Sequence, residues 1–104
     1  MTGGIDTAVV PRKGATRPKV RFTDLQGQYL AFIEAYTMLH GVAPAEADMQ
    51  RFFRVTPPAV HRMVLALEQR GLLRRVAGQG RSIRLLLPSG VIPKLERRER
   101  NGAF

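Results

Sequence analysis

Apolar residues recur at three- and four-residue steps from Leu25 through Tyr29, Phe32, Ile33 and Tyr36 to Leu39/His40, which predicts an amphipathic helix. Its start is written locally. Thr23 can cap it, and Gln26, at the third helical position, can reach back to complete a capping box. Gly41 ends the run. Pro44 opens a second, shorter helix over about 45–53, with Glu46 and Asp48 in its first turn complementing the helix dipole and Ala45, Met49, Phe52 and Phe53 on its buried side. After a tight break at Arg54 and Val55, Thr56 is a good N-cap, and Pro57 and Pro58 fit only the first turn of a helix. At about 100° per residue, Val60, Met63, Val64, Leu67 and Gly71 then share one side. Pro58, Ala59, His61, Arg62, Leu65 and Gln69 point away from it. Beyond Gly71 the period shortens: Ile83, Leu85 and Leu87 alternate with Ser82, Arg84 and Leu86. Segments 72–76 and 82–87 therefore flank Ala77-Gly78-Gln79-Gly80-Arg81 as a hairpin with a Gly-rich, Arg-bearing tip.

The pattern divides the chain into three. Residues 1–21 hold Pro11, Pro18 and a basic cluster with little apolar period, and read as a flexible basic arm; 22–88 form the folded domain; 89–104 form a charged C-terminal tail. At 104 residues there is no room for two full cores, while 44% apolar content suffices for one. The absence of Cys removes disulfides, Cys-bearing zinc sites and a thiol nucleophile together. No apolar run could span a bilayer, and the N-terminus lacks the order of a secretion signal. A cytoplasmic, nucleoid-associated protein is expected, with no membrane partner.

Charge adds direction to this picture. The net charge is +9, and 14 of the 17 basic residues are Arg, the side chain suited to bidentate contacts with phosphate and guanine edges. Residues 1–22 carry +4, 23–44 carry −2, 45–71 carry +1, 72–93 carry +4 and 94–104 carry +2. A basic arm, helix and hairpin beside one acidic helix predict a face presented to a polyanion.

Three helices followed by a hairpin make a mainly α fold with a small β-hairpin, a three-helix winged helix-turn-helix. The DNA major groove admits one helix, and helix 57–70 has a polar N-terminal half to put there. Thr56, Pro58, Ala59, His61 and Arg62 are the base-reading candidates. Thr56 and the free N–H groups of the opening turn are also expected to hold a phosphate oxygen. For the DNA backbone or minor groove the candidates are Arg51 and Arg54, then Arg74, Arg75, Arg81, Ser82 and Arg84 on the wing 72–87, and Arg12, Lys13, Arg17, Lys19 and Arg21 on the arm. Leu65, roughly 140° from the core centre of its helix, is a candidate dimer contact.

The run Phe22-Thr23-Asp24-Leu25-Gln26, the Gly41-Val42-Ala43-Pro44 link, Val60-His61-Arg62 and Leu67-Glu68-Gln69-Arg70-Gly71-Leu72-Leu73-Arg74-Arg75 together resemble the N-terminal DNA-binding domain of LexA-type SOS repressors. The resemblance covers about residues 22–88. It implies a winged helix whose third helix reads the major groove, usually as a dimer on a two-part operator. Such repressors carry a second, self-cleaving domain with a Ser/Lys dyad, for which this chain has no room, so autoproteolysis is not expected. The turn between the second and third helices is about one residue shorter, Arg54 stands where the family commonly has Gly, and Met63 replaces a His common there. Pro58 and Ala59 occupy places where Ser, Asn or Thr usually help read bases. The operator is therefore not transferable.

Sequence-specific binding of double-stranded DNA by a small bacterial transcriptional regulator is the leading reading, with a homodimer left open. The alternative is a winged-helix protein interaction module or addiction-type partner, favoured by Leu65 and Leu86. RNA binding ranks third, because the aromatic residues are accounted for by core stripes rather than stacking platforms. Two His on different helices and two Ser, with no Gly-rich phosphate loop, argue against an enzyme; no cofactor or metal is expected.

Overall fold

Thr23 opens the first helix as the sequence predicts. Its hydroxyl accepts from the Gln26 N–H (3.1 Å), and the Gln26 side chain accepts from the Thr23 N–H (2.9 Å). The computed structural model of the protein describes residues 21–96. In it α1 spans Asp24–His40, α2 Glu46–Phe53 and α3 Pro57–Gln69. Strands β1 (Leu73–Arg74) and β2 (Arg84–Leu85) pair antiparallel, Leu73 opposite Leu85 and Arg74 opposite Arg84. A 3-10 turn at Ser89–Val91 follows. Gly41 ends α1 at φ 76°, a conformation open to glycine because it has no Cβ.

Each helix gives one stripe to a single core: Tyr29, Leu30 and Ile33 from α1, Met49 and Phe53 from α2, Val60, Val64 and Leu67 from α3, closed by Leu72 and Leu73. The rings of Tyr29 and Phe53 stack with centroids 4.1 Å apart, tying α1 to α2. Two ends of the expected α1 stripe lie outside this core. Leu25 is 44% exposed and Leu39 79%, as is Met38. The cause is the direction of the buried face: at about 100° per residue it centres on Tyr29, Leu30 and Ile33, and Leu25, Met38 and Leu39 lie well to the side of it. The hairpin is also shorter than its alternating pattern suggested. Only two residues per strand pair, because Val76 and Ser82 are joined through the Ser82 hydroxyl instead of the backbone ladder.

Beyond Pro88, in the segment expected to be a charged tail, the chain packs back along α1 as far as Glu96. Gln28, 7% exposed, holds it there: its amide nitrogen donates to the Lys94 carbonyl (3.0 Å) and its amide oxygen accepts from the Glu96 N–H (2.7 Å). Ser89 donates to the Glu34 carboxylate. Gly27 makes room for this return, since a Cβ there would lie 2.9 Å from Pro93 Cγ and 3.0 Å from Phe22 Cε1. Gly27→Ala would gain about 1 kcal/mol of helix propensity, yet it forces Pro93 and Phe22 apart. The net result expected is a lower melting temperature; a higher one would show that the returning segment yields freely.

Candidate nucleic-acid interface

The α2–α3 link is what presents the face of α3. Arg54 ends α2 in the left-handed region at φ 59°, which lets the chain reverse over residues 54–56. A side chain at that φ costs about 1 kcal/mol that glycine would not. Thr56 then caps α3, its hydroxyl accepting from the Ala59 N–H (3.3 Å). Pro57 and Pro58 fill the first two helical positions.

This start corrects one expectation. Pro57 and Pro58 have no N–H, the Ala59 N–H is engaged by Thr56, and the Val60 N–H bonds the Thr56 carbonyl at 3.1 Å. The opening turn therefore has no free N–H to offer a phosphate. Any anion held here must be met by side chains.

On α3, Pro58, His61 and Arg62 are exposed and Ala59 half-buried. Arg62 makes no hydrogen bond or ion pair with another described residue, so its guanidinium fork is left to a partner from outside. His61 is less free, because its Nδ1 lies 3.3 Å from both carboxylate oxygens of Glu46 at the start of α2. Leu65, expected to be exposed, is half-buried.

The wing stands beside this face. Its tip and α3 are separated by a cleft of about 350 Å³ lined by Glu46, His61, Gly78, Gly80 and Arg81. The wing arginines fall into two groups. Arg74 and Arg84 are exposed, lie directly opposite one another across the ladder, and have no acidic partner among the described residues. Like charges in register repel, and a polyanion would relieve that repulsion. Arg75 and Arg81 are tied to other elements, although Arg81 stays 46% exposed. Arg75 Nε donates to Glu68 on α3 (3.2 Å), with its side chain 17% exposed. Arg81 reaches across to α1 and α2, donating to the Tyr36 hydroxyl (3.0 Å) and the Ala43 carbonyl (3.3 Å) and pairing with Asp48 (3.2 Å). Ser82 is likewise engaged within the wing, on Val76 and Gln79. Arg51 pairs with Asp48 at 2.6 Å but is 72% exposed, and Arg54 and Arg21 are exposed. Arg12, Lys13, Arg17 and Lys19 lie outside the described residues.

Position in the chain marks Asp48 and Glu46 only as helix-dipole acids and Tyr36 only as part of the α1 stripe. Their contacts with Arg81 and His61 join positions 15 to 45 residues apart, a separation at which helical or strand period carries no signal.

Asp48 has its carboxyl pKa held below the ordinary 3.8, first by the Ala45 N–H it accepts (2.8 Å), then by Arg81, a hydrogen bond from Tyr36 and Arg51, with burial opposing. A lowered folded-state pKa adds stability that is present above the unfolded value and is lost as pH falls through the folded one. The stability difference between wild type and Asp48→Asn is therefore expected to be flat above about pH 5 and to shrink below about pH 4. Denaturant melts across that range test it; a gap that persists at the lowest pH would contradict it.

Three helices, a three-residue link between the last two and an antiparallel hairpin behind them define a winged helix-turn-helix domain. The family model for the LexA DNA binding domain matches residues 20–82, and the chain belongs to that family. The LexA repressor of Thermosipho melanesiensis is 35% identical to it over 66 residues, covering 64% of this chain and 33% of the relative. That of Thermosipho africanus is 38% identical over 64 residues (62% and 32%), and that of Pseudothermotoga lettingae 38% over 74 residues (71% and 36%). The chain thus spans about a third of the length of these relatives. The matched part is a DNA-binding domain, not a catalytic one. No helix among the described residues is long and apolar enough to cross a membrane, and none of their His, Asp and Glu side chains cluster so as to hold a metal ion.

Proposed function

We propose that this protein is a transcriptional regulator that binds double-stranded DNA sequence-specifically, with α3 in the major groove and the wing on the adjoining backbone or minor groove. The observation that carries this reading is the open Arg62 fork on α3, in a domain whose wing exposes the unpaired, in-register Arg74 and Arg84. Arg62 is assigned to a base edge, with Pro58 and Ala59 offering apolar contact to a thymine methyl and His61 reaching through its Nε2. Arg74 and Arg84 take phosphates, and Arg51 and Arg54 extend that contact from α2. Arg75, Arg81 and Ser82, already engaged inside the domain, support the wing instead. The N-terminal arm, with Arg12, Lys13, Arg17, Lys19 and Arg21, adds positive charge along the same duplex.

Selection of bound duplexes from a random pool tests this reading. A recurrent motif is expected, and its form decides oligomeric state: two copies of one half-site at fixed spacing mean a dimer, a single half-site a monomer. Recovery of a pool no different from the input would overturn the assignment. Sites close to promoters whose transcripts change on deletion of the protein would complete the regulatory role.

A further inference from the structure

We infer that Asp48, acting through Arg81 and Tyr36, is a positioning residue for the wing: it latches the hairpin to the start of α2 and so sets the separation of wing and α3 across which a duplex is read. The inference rests on the DNA-binding reading above and extends it to a residue that would touch no DNA.

The need for a latch follows from the hairpin itself. A two-stranded ladder of two residues per strand is marginal in water, and its only cross-strand charged pair, Arg74 and Arg84, is repulsive. The ladder alone does not fix the tip. Arg81 does so from the tip: its backbone sits in the left-handed region at φ 57°, turning the side chain back across the domain. There the guanidinium meets Tyr36, the Ala43 carbonyl and Asp48, and its carbon lies 5.8 Å from the Tyr36 ring centroid. The Asp48 side chain, 11% exposed, gathers the other contacts: the Ala45 N–H, Arg51 and Arg81. One carboxylate thereby joins the N-terminus of α2 to the wing. The same elements carry Glu46, which faces His61 of α3, so a shift of the latch moves wing and reading helix relative to each other.

The sign of one substitution separates this role from simple electrostatics. Removing an acid from a protein that binds a polyanion should tighten binding to every duplex. If Asp48 positions the wing, Asp48→Asn instead weakens the selected site. The asparagine oxygen can still accept from the Ala45 N–H, so the start of α2 survives the change.

The test uses the full chain with the duplex recovered by selection and a random duplex of equal length. Asp48→Asn and Arg81→Gln should each weaken the selected site about tenfold, within the range for residues coupled through one network, and the double variant should be no weaker than either alone. The slope of log affinity against log salt should stay unchanged in Arg81→Gln, since no phosphate contact is lost. Without DNA, amide exchange at Val76 and Gln79 should quicken in both variants while the α3 core amides hold. The proposal is overturned if Asp48→Asn tightens both duplexes, if Arg81→Gln lowers the salt slope by about one, or if exchange in the wing is unchanged. Failure of wild type to bind any duplex would refute the DNA reading while leaving the exchange result to judge the latch.

Discussion

Leu67→Ala is expected to destabilise the domain by about 2–5 kcal/mol, the range for emptying a fully enclosed leucine site. Leu67 has no exposed surface and packs in the one cluster that joins all three helices to the hairpin. The described domain has 76 residues, for which total stability is roughly 4–11 kcal/mol. At about 4–8 °C per kcal/mol for a domain of this size, the melting temperature should fall by at least about 8 °C. The variant is expected to lose DNA binding as its folded fraction falls and to regain it on cooling or on addition of saturating duplex. A small shift of one or two degrees would mean that the helices are held together by something other than this core.

Arg62→Ala carries the second large effect, on recognition instead of folding. The side chain is exposed on the outer face of α3 and makes no bond to another described residue, so its removal should leave the melting temperature nearly unchanged. Affinity for the selected duplex should fall by about 1–3 kcal/mol, roughly 5- to 150-fold, and the preference at one base pair should relax. Affinity for random duplex should change little. A uniform loss on all sequences, with the salt slope reduced by about one, would reassign Arg62 to a phosphate.

The local signals were legible in the sequence because local chemistry decides them. Thr23 with Gln26, Gly41, Thr56 and the Pro57-Pro58 pair set helix ends within four residues of themselves, and those ends stand where the pattern put them. The stripe of α3 was legible for the same reason: Val60, Val64 and Leu67 are buried at helical spacing. Where a side chain's fate depends on a distant partner, the pattern misled. Leu25 and Leu39 fit the period of α1 but lie to the side of the face that Tyr29, Leu30 and Ile33 bury. Leu65 faces away from the core centre and is half-buried all the same.

The interface divides along the same line. A count of arginines finds the basic wing, but it cannot separate Arg74 and Arg84, which have no acidic partner among the described residues, from Arg75 and the still exposed Arg81, which are engaged by Glu68 and by Asp48 with Tyr36. That separation comes from tertiary contacts between residues far apart in the chain. Likewise, a helix N-terminus suggests free N–H donors, and only the two prolines together with the Thr56 cap show that this one has none.

The most direct test of duplex reading by this face is the affinity of the full chain for the selected and a random duplex, measured over a series of salt concentrations. Log affinity should fall linearly with log salt for both duplexes, and the selected one should bind tighter by about a thousandfold or more at physiological salt. No binding to either duplex at low salt, or equal affinity for both at every salt concentration, would contradict it.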